Sequence, residues 1–174
     1  LNINPIFQSQ ATLVIEESSK NIVQIEEVYA GNQGRGFGGN INYINNQIQI
    51  IESDEVIGSI LLQEGVVVKA EALYKKIPKN FILSKKLSFF NFLSDDKSLK
   101  KSKINIKNYI KSNLSVFQIR NSDVVNITIK SGNAELAKFL LEQVIEAYLK
   151  YDVDTKVKVT NYANAQINGR LSKL

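Results

Sequence analysis

The chain has 174 residues, of which 44% are hydrophobic, and this length and composition are typical of one globular domain with its own core. It contains no Cys and no His, which excludes disulfides, the usual zinc and haem sites, cysteine nucleophiles and triads with a histidine base. The net charge is +5, yet the segment from Lys75 to Lys111 holds eleven lysines and two aspartates, a local charge of +9. The sequence has no apolar run of about 18 residues, the length that a membrane-spanning helix needs. Because it starts at Leu1 and lacks Met, we expect it to be an excised part of a longer protein.

The first predicted element is a strand at about residues 10–16, where Ala11, Leu13 and Ile15 alternate toward one face. The segment from Gly31 to Gly39 holds five glycines in nine residues, so we expect a flexible loop there. Residues 22–29, which precede it, are ambiguous and fit a short helix.

Residues 44–63 follow a helical period, with Ile44, Ile48 and Ile51 on one face. Ser53, followed by Asp54, predicts a break and a new helix cap at that point. We expect the second helix to end at Gly65, because glycine commonly terminates helices.

The middle of the chain, residues 66–94, has only a weak pattern. The stretch from Asp96 to Lys103 is polar and predicts a surface loop or the start of a helix. Residues 104–110 fit a short amphipathic helix with Ile106, Tyr109 and Ile110 turned inward.

The clearest pattern is a hairpin at about residues 114–130, in which Val125, Ile127 and Ile129 alternate with polar positions. Asn133 is a good cap for the helix that follows, which we expect to continue toward Leu174. The sequence therefore predicts a single α+β domain over residues 1–174, with a small mixed or antiparallel sheet, helices on one face and a long C-terminal helix.

No residue is identified as a catalytic, cofactor-binding or metal-binding residue. Residues 34–39 match G-x-G-x-x-G, but no strand precedes them and no helix clearly follows, so a loop is the better interpretation. Adjacent carboxylates point apart in regular structure and make poor acid–base pairs. The interpretation of the chain as an enzyme that uses a lysine or a carboxylate stays open. The pairs are Glu16-Glu17, Glu26-Glu27, Asp54-Glu55 and Asp95-Asp96.

The lysine-rich segment has two interpretations. It is a solvated face with its aromatic residues in the core, or it binds nucleic acid, membrane headgroups or an anionic polymer. Its aromatic residues are Phe81, Phe89, Phe90, Phe92 and Tyr109. The apolar stripe of the C-terminal helix is likewise either core or a seam between subunits. The stripe comprises Ala137, Leu140, Leu141, Val144 and Tyr148.

Two segments carry a family resemblance. Residues 43–65 are similar to a stretch of the Wzz-type polysaccharide co-polymerases, the chain-length determinants, that runs Y-x-x-T-Q-I-E-I-L-K-S-x-x-V and ends in L-G. Residues 114–149 resemble the family's L-x-V, S-x-x-I-x-I and A-Y elements. The matching residues are Tyr43, Gln47, Ile48, Ile50, Ser53, Val56 and Gly65, then Leu114, Val116, Ser122, Ile127, Ser131, Ala137, Ala147 and Tyr148.

The chain departs from the family pattern at several positions. Asn46 replaces Thr and Glu52 replaces Lys in the first segment. In the second, Asn133-Ala134 stands in place of Asp-Pro, and Leu141-Glu142 in place of Ala-Asn. The two segments cover about a third of the chain.

The resemblance implies a non-catalytic periplasmic domain of a bacterial inner-membrane protein, ending here before a second membrane span. Such proteins form homo-oligomers that control the chain length or export of exopolysaccharide, capsule or O-antigen. They act with a polysaccharide polymerase or an outer-membrane export protein, and the motifs are closest to the branch linked to tyrosine autokinases. In that compartment the lysine-rich segment is expected to contact anionic glycan or membrane headgroups rather than nucleic acid. The rival interpretation is a ring-building module of a secretion or pilus assembly machine.

Overall fold

The computed structural model describes residues 5–16, 38–77, 96–120 and 122–171. Strands and helices are numbered in chain order within those residues. They are β1 (Phe7–Val14), α1 (Gly38–Ile51), α2 (Asp54–Ile60), α3 (Glu64–Lys75), α4 (Asp96–Asn113), β2 (Leu114–Gln118), β3 (Val124–Ser131) and α5 (Ala134–Leu171).

The three strands form one antiparallel sheet in the order β1-β3-β2. The predicted hairpin is confirmed as β2 and β3, and the α+β class with a long C-terminal helix is confirmed as well. The first strand begins earlier than predicted, because β3 offers backbone partners along all of β1, from Phe7 opposite Ser131 to Val14 opposite Val124. The predicted inward face of β1 is correct: Ile15, just past the strand, is buried and donates its N–H to the Asp123 carbonyl at 2.8 Å.

The predicted break between the first two helices lies where expected. The Ser53 hydroxyl accepts a hydrogen bond from the Val56 N–H at 3.2 Å and caps α2. Helix α1 begins at Gly38, so the last two glycines of the predicted loop are helical, whereas residues 31–37 lie outside the described part of the chain. The ambiguous residues 22–29 also lie outside it.

Gly65 does not end a helix, and this prediction is wrong. Gly65 lies in the first turn of α3, a helix that the weak sequence pattern of residues 66–94 did not reveal. The helix is held by tertiary packing, since Val67, Ala70 and Leu73 recur at helical spacing and are buried. Its Gln63 cap position makes no side-chain hydrogen bond, so no capping signal marked its start.

Helix α4 is longer than residues 104–110, because the polar stretch from Asp96 onward is helical too. Lysine is a good helix former, so a lysine-rich segment can extend a helix without an apolar face of its own. The predicted inward residues are correct: Ile106 and Ile110 are buried and Tyr109 is half-buried.

The core lies between the inner face of the sheet and the helices. Val125, Ile127 and Ile129 of β3 form its floor, all fully buried, and the stripe on the first half of α5 packs onto β1 and β3. That stripe therefore belongs to the core rather than to a subunit seam. Its residues Ala137, Leu140, Leu141, Val144 and Tyr148 are all buried.

Candidate assembly surface

Helix α5 continues well beyond the body of the domain. From Val153 to Arg170 every residue except Ala163 is exposed, a length of about 27 Å at the α-helical rise. Within the described part of the chain, this half of the helix has no apolar packing partner of the kind that buries its first half.

The projecting half carries exposed apolar side chains. Leu149, Val153, Ala163 and Ile167 lie on one side of α5, with Lys156 and Thr160 completing the four-and-three spacing. Val157, Val159 and Tyr162 are further exposed apolar residues, and Tyr162 is 69% exposed. β-branched residues are weak helix formers and a helix of this length is marginal alone in water, so packing against a partner would stabilise it.

A polar junction fixes the point where α5 leaves the body. The Tyr148 hydroxyl donates to Gln47 Oε1 of α1 at 3.1 Å, across 101 positions of sequence. Burial, followed by the charge of Asp152 and by Tyr43, raises the pKa of Tyr148 to about 12. One turn further on, the Lys156 ammonium contacts Asp152 at 2.7 Å, and this hydrogen bond raises the Lys156 pKa. The Tyr148 hydrogen bond therefore joins α5 to α1 just before the projecting half begins.

Asn133 connects the start of α5 to another helix. Its Oδ1 accepts from the Leu136 N–H at 3.1 Å, which confirms the predicted cap. Its Nδ2 donates to the Leu73 carbonyl in the last turn of α3 at 3.4 Å, a contact that the sequence did not predict. Ser131 lies beside it and accepts from the Asn133 N–H at 3.2 Å and from the Tyr109 hydroxyl at 2.9 Å.

Some lysines of the lysine-rich segment contact carboxylates of the same domain. Lys107 and Lys111 of α4 both contact the Asp54 carboxylate, with Lys107 at 3.0 Å, so one negative charge offsets part of their positive charge. Hydrogen bonds from Lys111, and then from Lys107, lower the pKa of Asp54. Lys76 contacts Glu135 at 3.2 Å.

Fewer lysines of the segment are left as candidates for anion binding. Lys97, Lys100, Lys101 and Lys103 lie on the first half of α4, while Lys79, Lys85 and Lys86 are outside the described residues. Tyr109 packs edge-on against Tyr74, with ring centroids 5.4 Å apart, and is therefore unsuited to stacking on a ligand. The other aromatic residues of the segment lie outside the described residues, and they are Phe81, Phe89, Phe90 and Phe92.

Of the four carboxylate pairs, Asp54-Glu55 is the one whose side chains are both described. Asp54 and Glu55 are both exposed, and Glu16 accepts a hydrogen bond from the Tyr43 hydroxyl only through its backbone carbonyl, at 3.5 Å. Glu17, Glu26, Glu27 and Asp95 lie outside the described residues. Where side chains are described, no cluster of three metal-ligating residues occurs. In the same part of the chain, none of the helices has the length and apolarity required to cross a bilayer.

Comparison with known proteins gives no relative. No family model matches the chain, and neither does any curated protein or any solved structure.

Proposed function

We propose that the chain is a non-catalytic periplasmic domain of a bacterial inner-membrane polysaccharide co-polymerase. In this role it oligomerises and controls the chain length or export of a surface polysaccharide. The observation that carries the proposal is the projecting half of α5, an exposed helix with apolar residues that extends from an α+β body.

The positions of the two family-like segments support the proposal. Residues 43–65 form α1, α2 and the start of α3, while residues 114–149 form the hairpin and the first half of α5. These segments are adjacent in the fold, since α2 packs on α5 and the Tyr148 hydroxyl donates a hydrogen bond to Gln47. Two of the matched residues thus bind each other, which gives the pairing of the two motifs a physical reason.

The mechanism rests on geometry rather than bond chemistry. The projecting half of α5 in each copy packs on the projecting half of a neighbour. This contact buries the exposed apolar side chains of both helices and stabilises them. A closed assembly of this kind holds many copies around the growing polymer, its polymerase or an outer-membrane export protein.

The assembly role is tested by Leu149→Glu combined with Val153→Glu in the organism that encodes the chain. With charges at these two positions, cross-linking of the whole protein should no longer yield oligomers. The length distribution of the surface polysaccharide on gels should shift as well. The matched control is Leu62→Glu combined with Val68→Glu, which places two charges on exposed residues of the body. Unchanged oligomers and unchanged polymer length in the double variant would contradict the proposal. A secretion or pilus defect with normal polysaccharide would favour the ring-building module instead.

The first half of α4 is proposed to contact anionic glycan or membrane headgroups in this context. Changing Lys100, Lys101 and Lys103 together to Glu should alter polymer length or assembly, whereas the same three changes to Arg keep the charge and should preserve both. An unaltered polymer and assembly in the Glu variant would refute this contact.

A further inference from the structure

Strand β1 forms one edge of the sheet, and its outward side has no strand partner in the described part of the chain. The opposite edge is β2, which is five residues long and has α1 packed against it. Strand β1 is eight residues long, and α5 packs on it and on β3 from the core side. Among the described residues, the longer edge of the sheet is therefore the open one.

The edge of β1 lacks the features that usually keep edge strands from pairing with other chains. Those features are charged side chains, proline, bulges and short length. Phe7–Val14 contains no charged residue and no proline, and its pairing with β3 runs without a bulge. Apolar side chains are exposed at both ends, since Ile6, just before the strand, is 63% exposed and Val14 is 67% exposed. The edge is therefore suited to pairing with another strand.

The backbone groups of alternate residues point toward this free edge. The Ile15 N–H donates to the Asp123 carbonyl at 2.8 Å, one position beyond the last paired residues of β1 and β3. Because the direction of the backbone groups alternates along an antiparallel strand, the odd-numbered residues of β1 bond to β3. The N–H and C=O groups of the even-numbered residues, from Ile6 to Val14, therefore point outward.

We propose that β1 pairs with β1 of a second copy of this chain, antiparallel and about a two-fold axis at Gln10. In this register Ile6 lies opposite Val14 of the second copy, and Phe7 lies opposite Leu13. Apolar residues then meet at both ends, polar residues meet in the middle, and each Gln10 faces the other. The even-numbered pairs exchange about ten backbone hydrogen bonds, and the two sheets become one continuous sheet.

Neighbouring registers match the residues less well. Moving the axis to Ala11 keeps the two core faces on the same side, but it sets Val14 opposite Gln8 and Leu13 opposite Ser9. A slip by one residue would turn the core face of one copy toward the solvent face of the other. The sequence of β1 is therefore self-complementary in one register, which favours a second copy over an unrelated strand.

The pairing closes at two copies, because each copy contributes the same edge and the contact is isologous. The contact is smaller than the interfaces of stable complexes, so the expected dissociation constant is on the order of 100 µM. The inference does not rest on the polysaccharide role, since it uses β1 and leaves the projecting half of α5 free.

The first test is sedimentation velocity on the 174-residue chain at concentrations on the order of 10 µM to 1 mM, which bracket the expected constant. The chain should convert from monomer to dimer over this range. Gln10→Lys and Gln10→Glu should each weaken the dimer at least tenfold, because like charges meet at the axis. An equimolar mixture of the two variants should restore it, which also shows that both are folded. The matched control Gln166→Lys makes the same change at an exposed position of α5 and should leave the dimer unchanged.

The register is tested with single cysteines, because the chain has none of its own. In Gln10→Cys the two introduced residues face each other with Cα atoms about 5.5 Å apart, within reach of a disulfide, so mild oxidation should give a covalent dimer. Thr12→Cys is the matched control, since Thr12 is exposed on the same strand but faces Gln8 in this register. It should cross-link at least tenfold more slowly.

Several results would overturn the inference. They are a monomer at every concentration, a dimer that Gln10→Lys does not weaken, equal cross-linking of the two cysteine variants, and growth beyond two copies. Leu149→Glu combined with Val153→Glu should leave the β1 dimer in place, so loss of the co-polymerase role would not remove it. A dimer that is lost in that variant and kept in Gln10→Lys would assign self-association to α5 instead.

Discussion

Replacing Asn133 by Ala tests how far one side chain holds α5 to the rest of the domain. The amide caps α5 through the Leu136 N–H and reaches the Leu73 carbonyl at the end of α3. Losing an N-cap of this kind costs about 1 kcal/mol. Losing the second hydrogen bond adds roughly 0.5–1 kcal/mol, with the lower figure suited to its 3.4 Å length.

The expected loss in the free energy of unfolding is therefore about 1.5–2 kcal/mol. With a urea dependence of about 2 kcal/mol per molar, the midpoint of unfolding should fall by about 0.75–1 M. The measurement is urea denaturation followed by far-ultraviolet circular dichroism, with the urea dependence checked for constancy between variants.

Two further variants divide the effect. Asn133→Ser keeps a capping oxygen but cannot reach Leu73, so it should lose only about 0.5–1 kcal/mol. Asn164→Ala removes an exposed amide from the projecting half of α5 and should change stability by less than about 0.5 kcal/mol. A loss below about 0.5 kcal/mol for Asn133→Ala, or equal losses for Ala and Ser, would refute the double role of Asn133.

Four other variants test separate parts of the structure. Gly65→Ala should raise the free energy of unfolding in urea by about 0.5 kcal/mol, because its site is helical and a Cβ there meets no atom within 4 Å. A lower free energy of unfolding would mean that Gly65 ends a helix after all. Ile127→Ala should cost about 3 kcal/mol in the same assay, since the side chain is fully buried at the centre of the sheet, and a loss below about 1 kcal/mol would contradict that position. The pKa of Tyr148 is about 12 in the folded chain, whereas an unfolded tyrosine titrates near 10. Its contribution to stability is therefore present below about pH 10 and is lost as pH rises toward 12. Tyr148→Phe should show a shallower alkaline decline in urea midpoint, and an identical decline would count against the burial of this hydroxyl. Because the pKa of Asp54 is lowered, its contribution to stability is present above about pH 4 and is lost as pH falls further. At low salt, the urea midpoint of Asp54→Asn should therefore fall less on acidification than that of the parent chain, and high salt should reduce this difference. A salt-independent difference would argue against the lysine pairs.

Local patterns in the sequence were sufficient for much of the fold. The hairpin followed from strict alternation at Val125, Ile127 and Ile129, and the α1–α2 break followed from the capping chemistry of Ser53. The long helix after Asn133 followed from a cap and an apolar stripe. Each of these signals lies within a few residues, where alternation, helical period and side-chain capping act directly.

The same local rules failed where distant residues decide the outcome. Helix α3 has no capping side chain and a glycine in its first turn, and it is held by the burial of Val67, Ala70 and Leu73 against other elements. The start of β1 was set by the length of β3, its backbone partner. Neither partner is visible from the local sequence of the element that depends on it.

The sequence by itself determined the α+β class, the absence of Cys- and His-based chemistry, and a surplus of lysines in one segment. Only the tertiary structure decided which residues meet. It paired Lys107 and Lys111 with Asp54, linked Tyr148 to Gln47, and left the second half of α5 outside the core. The physical reason is that composition and short-range periodicity limit what each element can be, whereas contacts between elements far apart in sequence arise only when the whole core packs.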